Sequence, residues 1–299
     1  MVNIEKLKRK YKLSNPAMIT KPTMPRLEYY SKYLERIWKS KWMTNMAEIH
    51  QEFEKQLNDY LGAKYNSLFC NGTTALLVAL KAFNLDCGEV ITTPFTFPAT
   101  TNVLYWSNLT PVFCDIEKKT FNLDPNKIEN LISRNTKAIL PVHIFGNPCD
   151  VEALEKIAEK HGLLVIYDAA HAFGVKYKNR PIFKWGDVTM LSFHATKLFT
   201  TIEGGALISK SSTVKEKIDF LKNFGVAGED TVVDTGINGK MNEFQAAFGL
   251  LQLKMIDEEI AARKKITYYY RKKLKGIPGM TYIDEIPDVS HNYSYFPVL

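Results

Sequence analysis

At 299 residues, the chain is long enough for two domains, or for one large domain with an appendage. Apolar residues make up 45% of it and charged residues 24%, a globular balance able to bury a sizeable core, and no run approaches the ~18 apolar residues of a membrane span. The net charge of +7, with a pI near 9.0, describes an anion-attracting surface, but without a helix-turn-helix or zinc motif it carries no nucleic-acid reading. The densest basic cluster is Lys6, Lys8, Arg9 and Lys10, which reads as a solvated terminal segment. Cys70, Cys87, Cys114 and Cys149 are scattered, with no C-x-x-C pair, and read as free buried thiols rather than a metal or redox site. The N-terminus lacks the apolar core of a signal peptide, so the expectation is a soluble, cytoplasmic protein.

In chain order, Ser67-Leu68-Phe69-Cys70 is an apolar run entering Asn71-Gly72-Thr73-Thr74, followed by a helical stretch over 75–83. Residues 89–93 read as a strand, 98–107 as a helix and 111–115 as a strand. Asp124-Pro125 then opens a helix running to 132. The stretch 138–142 is apolar, 151–161 helical and 163–167 apolar again, and runs at 188–193 and 205–208 complete the series. A segment at 213–224 and a Gly-containing loop at 225–239 follow. Residues 241–265 then carry apolar side chains at helical spacing, including Phe244, Ala247, Leu251 and Met255. Apolar runs alternating with helices predict an α/β fold with a largely parallel sheet. Such sheets bind ligands beyond the carboxyl ends of their strands, so functional residues are expected directly after the apolar runs.

Several candidates stand there. Asn71-Gly72-Thr73-Thr74, between a strand and a helix, suits a phosphate held by backbone N–H groups and the helix dipole, or else a plain N-cap turn. Asp168 closes the run Leu163-Leu164-Val165-Ile166-Tyr167, where a carboxylate can pair with a protonated ring nitrogen or cap a helix. His171 follows at the predicted start of that helix, in a catalytic or a purely structural role. Leu191-Ser192-Phe193-His194-Ala195-Thr196-Lys197 places Lys197 in a loop between strands. A lysine there can form a Schiff base if its surroundings lower its pKa, or simply face solvent. Phe97 can stack on a ring or sit in the core, and Asn238, in Gly236-Ile237-Asn238-Gly239, can reach a ligand or mark a turn.

Taken together and in order, these motifs resemble the DegT/DnrJ/StrS family of sugar aminotransferases. Further matches are Trp42-Met43-Thr44-Asn45, Thr96-Phe97-Pro98-Ala99-Thr100, Asp168-Ala169-Ala170-His171, Glu203-Gly204-Gly205 and Gly236-Ile237-Asn238-Gly239-Lys240-Met241-Asn242-Glu243, then Gln245-Ala246-Ala247. The resemblance implies a type I aminotransferase fold, a mostly parallel mixed sheet flanked by helices, with pyridoxal 5'-phosphate as cofactor and no metal. It implies a large cofactor-binding domain over 1–240 and the start of a smaller C-terminal domain over 241–299. That smaller domain is expected to be truncated or naturally short, because the chain stops at Phe296-Pro297-Val298-Leu299 where relatives continue.

By the same resemblance, Lys197 is the lysine that binds the cofactor covalently and Asp168 the acid paired with its ring nitrogen. His171 lies beside the ring hydroxyl, at a position where many relatives have Gln, and Phe97 stacks on the ring. Gly72, Thr73 and Ser192 match phosphate contacts, and Asn238 matches one that reaches the phosphate from a neighbouring subunit, which implies a homodimer with shared sites. The implied partners are an amino donor, L-glutamate, and a nucleotide-linked 4-keto-6-deoxy sugar. Within the family the chain looks most similar to members that form dTDP-4-amino-4,6-dideoxyglucose, with a role in O-antigen or lipopolysaccharide biosynthesis. A 3-keto-sugar aminotransferase and a non-catalytic cofactor-binding protein are the competing readings. Lys240 departs from the arginine that many relatives carry.

Overall fold

The computed structural model describes residues 20–299 together with residues 5, 9, 10, 12 and 18. Of the basic cluster, Lys6 and Lys8 lie outside the described residues. Among those described, seven strands form one sheet in the order β1-β9-β8-β5-β4-β2-β3. They are β1 (Tyr65–Phe69), β2 (Glu89–Thr92), β3 (Thr110–Phe113), β4 (Thr136–Leu140), β5 (Leu164–Asp168), β8 (Val188–Ser192) and β9 (Gly205–Ser209). Strands β6 (Lys176–Tyr177) and β7 (Arg180–Pro181) form a small second sheet with β10 (Val289–Ser290), in the order β10-β6-β7. In the large sheet only β9 runs against the others: it pairs antiparallel with both β1 and β8, while all remaining pairs are parallel.

The period-2 alternation of the strands explains the layers. Leu68, Ile91, Ile139, Val165, Leu191 and Ala206 face one core, while their neighbours Phe69, Val90, Ala138, Ile166, Met190 and Leu207 face the other. Helices α1 (Leu27–Ser40) and α2 (Glu48–Leu61) cover the first face. Helices α3 (Gly72–Ala82) and α4 (Pro98–Trp106) cover the second. After the short α5 (Pro125–Ile128), α6 (Val151–His161) packs on the first face and α7 (Ser212–Leu221) on the second; α8 (Glu243–Leu253) returns to the first, followed by α9 (Ile256–Leu274). Met241, Ala246, Leu250 and Ile256 belong to the same buried cluster as Phe53 and Leu191, so the core runs continuously across residue 240.

The helix ends follow local chemistry. Asp150 caps α6 by accepting from the Ala153 N–H, and Gly162 ends it at φ 65°, matching the 151–161 stretch read from the sequence. Asn242 and Gln245 form a reciprocal capping box at the start of α8. The stretch predicted as one helix over 241–265 is two, α8 and α9, because the chain tightens at Lys254 and Met255, whose N–H groups bond back three residues to Leu251 and Gln252. The helix expected from Asp124-Pro125 to 132 is α5 followed by one 3₁₀ turn, Glu129–Leu131. The helix expected to begin near His171 is absent: 169–174 is a chain of turns. Of the cysteines, Cys114 and Cys149 are buried free thiols as expected, whereas Cys70 is half-buried and Cys87 exposed.

Helix α2 shows a cap supplied from far away. Its own N-cap residue, Ala47, has no side chain to offer, and the carboxylate of Glu243 accepts instead from the N–H groups of Ile49 (2.8 Å) and His50 (3.1 Å). Glu243 is buried, so these bonds also compensate its desolvation. Glu243→Ala removes the carboxylate that accepts from the Ile49 and His50 N–H groups and leaves Glu48 as the acidic residue of that first turn. It should cost about 2 kcal/mol of stability, read as a lower urea midpoint with an unchanged slope.

Candidate active site

A cavity of about 970 Å³ opens along the carboxyl ends of the sheet strands. The segments directly after β1, β2, β4, β5 and β8 line it, as the parallel-sheet rule requires. Of the residues singled out from the sequence, Gly72, Thr73, Phe97, Asp168, His171, Ser192 and Lys197 all face it. Asn238 does not: it lies exposed beside the 225–239 loop, bridged to Asn223, away from this chain's own cavity lining.

Lys197 sits on the connection between β8 and β9. That loop is locked against itself: Phe193 N–H donates to the Gly204 carbonyl, Thr201 N–H to the Phe193 carbonyl, and Lys197 N–H to the His194 carbonyl. The neighbours Leu198 and Phe199 are buried, which leaves the lysine side chain as the part that projects. Burial lowers the pKa of its ammonium, and the Asp168 charge opposes that shift. The side chain is half-buried, not the solvent-facing lysine of the alternative reading.

Asp168 ends β5 with only 4% of its surface exposed. One carboxylate oxygen accepts from the Thr100 hydroxyl at 2.7 Å, and Thr100 in turn shares a 2.8 Å bond with the Thr96 hydroxyl. The other oxygen accepts from the Ala170 N–H at 3.0 Å. Among the described residues Asp168 makes no ion pair. Burial raises its pKa, while the Thr100 and Ala170 bonds and the Lys197 charge pull it back down. It does not cap a helix, since none follows. His171, three residues on, is pushed down to about 3 by burial and by Lys197, and its ring Nδ1 is buried without a partner.

The β1–α3 turn reaches the same cavity. Asn71 is the N-cap of α3, accepting from the Thr74 N–H at 2.8 Å, so the N-cap turn is real. The first-turn N–H groups of such a helix have no intrahelical acceptor. Small residues make this approach possible. Gly205 stands in register between Phe69 and Ser192, and a methyl group there would lie 2.8 Å from the Gly72 nitrogen and 2.9 Å from its Cα. A methyl on Gly72 would meet the Met190 sulfur at 3.0 Å and Ser192 Cβ at 3.3 Å. Phe97, immediately before α4, is 75% exposed towards the cavity mouth, which excludes the core-aromatic reading. Sequence reasoning missed the Thr100 hydroxyl bond, the ring of Phe145 and Tyr295, which arrives from the C-terminal segment. Lys240 is buried, and its ammonium is bonded to the Asn223 side chain at 2.6 Å.

The donor set fits a phosphorylated, cationic heterocycle carrying a carbonyl. The α3 N-terminus with Gly72, Thr73 and Ser192 suits the phosphate. The buried carboxylate of Asp168, lacking a counter-ion, suits a ring N–H⁺. The orphaned Nδ1 of His171 suits a ring hydroxyl, and a lysine with lowered pKa suits the carbonyl.

This fold and site define an enzyme with the type I aminotransferase architecture. The DegT/DnrJ/EryC1/StrS aminotransferase family matches residues 28–299. A dTDP-4-amino-4,6-dideoxy-D-glucose transaminase from Escherichia coli is 49% identical over 286 residues, which span 94% of this chain and 76% of that protein. The enzyme of the same name from Shigella dysenteriae is 49% identical over 287 residues, spanning 96% and 78%. Among solved structures, DesI in the presence of its TDP-sugar product superposes with a TM-score of 0.91 at 34% identity, covering 96% of this chain and 73% of DesI. Helicobacter pylori PseC, an aminotransferase involved in the biosynthesis of pseudoaminic acid, gives 0.89 at 32%, covering 95% and 78%. The chain belongs to the DegT/DnrJ/EryC1/StrS aminotransferase family, and it is an aminotransferase.

Two outcomes follow from the geometry. Gly205→Ala forces the β1–α3 turn away from β9 and should cost about 2 kcal/mol, measured by denaturant midpoint. For Asp168 the raised pKa fixes a sign. The folded chain, free of any ligand, holds that proton more tightly than the unfolded chain. The resulting stability is complete below the ordinary carboxylate range and is lost as pH rises through the raised value. Asp168→Asn removes this loss, so the ligand-free variant should unfold at neutral pH no lower in temperature than the parent, in a thermal scan from pH 4 to 8.

Proposed function

We propose that this enzyme transfers an amino group from L-glutamate to a nucleotide-linked 4-keto-6-deoxy sugar, with pyridoxal 5'-phosphate held by Lys197. The single observation that carries the reading is the convergence of the lowered-pKa Lys197 and the counter-ion-free Asp168 on one cavity beside a helix N-terminus. The substrate class rests on the 49% identity to transaminases named for dTDP-4-amino-4,6-dideoxy-D-glucose. The role of Gly72, Thr73 and Ser192 is to hold the phosphate, that of Phe97 to stack on the ring, and that of His171 to meet the ring hydroxyl. Asn238, exposed and turned from its own cavity, is assigned to the partner's site in a cytoplasmic homodimer. The C-terminal domain is taken to begin at 241.

When bound, the coenzyme supplies an aldehyde that condenses with primary amines and a protonated ring that accepts electron density. The chain's own residues do the rest. Lys197, the residue that would hold the coenzyme, carries the amine that would take the proton from the donor's α-carbon and give a proton to the sugar carbon that carried the ketone. Asp168 keeps the ring nitrogen protonated, and its buried setting makes that charge pair strong. The basic surface favours the approach of a nucleoside diphosphate.

Incubation with the coenzyme, borohydride reduction and peptide mapping should place the pyridoxyl mass on Lys197; a label on another lysine overturns the assignment. Lys197→Ala should lower the glutamate half-reaction, followed as loss of the coenzyme's visible band, by at least about a hundredfold. Product NMR with 4-keto and 3-keto nucleotide sugars decides the carbon that receives the amine.

A further inference from the structure

The coenzyme motifs account for one part of the cavity lining. A second wall is built of rings. Phe145 lies parallel to His171 (11° between planes, centroids 6.5 Å apart), His171 touches Tyr295 at 4.5 Å, and Phe145 meets Tyr295 at 5.9 Å and Phe95 at 6.1 Å. All four line the cavity, and Lys197 lines the same cavity.

The wall is held in place at a conformational cost. Phe145 occupies the left-handed region at φ 57°, ψ 14°, where a bulky side chain is an outlier. Gly146 follows at φ 85°. A methyl group on it would lie 2.7 Å from the His171 carbonyl and 3.0 Å from the Asn292 side-chain oxygen. Asn292 is buried; its amide donates to the carbonyls of His171 (2.9 Å) and Phe173 (3.0 Å), and its oxygen accepts from the Ser294 N–H (3.1 Å). Three distant pieces of chain are thus clamped together, and the clamp presents Phe145 and Tyr295 to the cavity. Strain at a site that packing over-determines points to a ligand contact.

We infer that Phe145 and Tyr295, with Phe95, are specificity-determining residues of the sugar subsite. They accept a hexose whose exocyclic carbon is a methyl group and disfavour one that carries a hydroxymethyl group there. This rests on the nucleotide-sugar reading above. Ring faces gain from contact with a methyl group, whereas a hydroxyl pressed against the faces of Phe145 and Phe95 loses its water and finds no partner in them; the Tyr295 hydroxyl is the wall group that could offset this, and its removal is part of the test. The preference expected from one such group is about ten- to a hundredfold.

The test uses the coenzyme-loaded protein and two stable ligands, dTDP-6-deoxyglucose and dTDP-glucose, titrated calorimetrically. The parent protein should bind the 6-deoxy compound at least about tenfold more tightly. Phe145→Asn suits the left-handed backbone, so the fold and the coenzyme spectrum should persist while the affinity ratio falls towards one. Phe145→Gly should do the same. Tyr295→Phe keeps the ring and should leave the ratio at its parental value. A parental ratio near one, an unchanged ratio in both Phe145 variants, or a ratio abolished by Tyr295→Phe overturns the wall while leaving the aminotransferase reading intact. Binding of neither compound by a protein whose Lys197 carries the coenzyme overturns the wall and the nucleotide-sugar reading together.

Discussion

The site depends on keeping one carboxylate out of water without a counter-ion from the described residues. Asp168 lies at the end of β5 with its two oxygens bonded to a hydroxyl and an amide N–H, both neutral. Lys197 is close enough to lower its pKa but makes no ion pair with it. Each group is desolvated, and each opposes the other's shift, so the arrangement holds a negative and a potential positive charge apart in a low-dielectric pocket. A buried charge left this way is costly, and its surroundings bear the marks of support. Tyr167, the residue before Asp168, stacks on the buried His143 at 4.7 Å, and the His143 N–H donates to the Asp168 carbonyl. His143 is itself kept neutral by burial, its pKa pushed down to about 3, and its Nδ1 accepts from the Cys149 N–H. The backbone of Asp168 is thereby fixed before any ligand arrives, which is what a pre-organised electrostatic site requires.

The reversal of β9 is what brings the lysine to that carboxylate. Had β9 run parallel to β8, the connection would have crossed to the far edge of the sheet, and a helix would have covered a face. Because β9 pairs antiparallel with β8, the connecting loop turns round at the carboxyl edge, where β5 also ends in Asp168. The same reversal puts Gly205 at the start of β9, between the last residues of β1 and β8, and leaves room for Gly72 to pass over it. One antiparallel strand in a parallel sheet therefore supplies both the lysine loop and the floor beneath the β1–α3 turn.

Much of this was readable from the sequence, and the limit has a physical origin. Strand ends, helix caps and the residues just after them are encoded by contiguous neighbours. The apolar runs, the 151–161 helical stretch and the 191–197 stretch therefore pointed to their structures directly. What escaped depends on residues far apart in the chain. The carboxylate that accepts from the first N–H groups of α2 belongs to Glu243, 194 residues from Ile49, and nothing near Ala47 announces that pairing. The left-handed backbone of Phe145 has no residue signal of its own, since Phe is not a residue that favours it. The two-residue strands β6, β7 and β10 are too short to show a period. The missing helix at His171 reflects the same limit. An Asp before small residues reads as a cap, but here its side chain bonds only two residues ahead and the chain turns aside to meet Asn292.

That separation also sorts the cavity by how it can vary. The groups suited to the coenzyme sit on segments that leave the sheet at its carboxyl edge, so their positions are set by the pairing register of β1, β5, β8 and β9. The ring wall is set differently, by the fit of the 145–146 turn, the 171–173 turn and the segment after β10, joined through the Asn292 amide. A substitution in the wall need not disturb the sheet register, whereas a change in sheet register would displace Asp168 and the Lys197 loop themselves. Specificity being a difference between affinities, it is most easily altered where a contact can change without moving the reacting groups. In this chain the proposed wall meets that condition, and His171 is common to it and to the proposed coenzyme set.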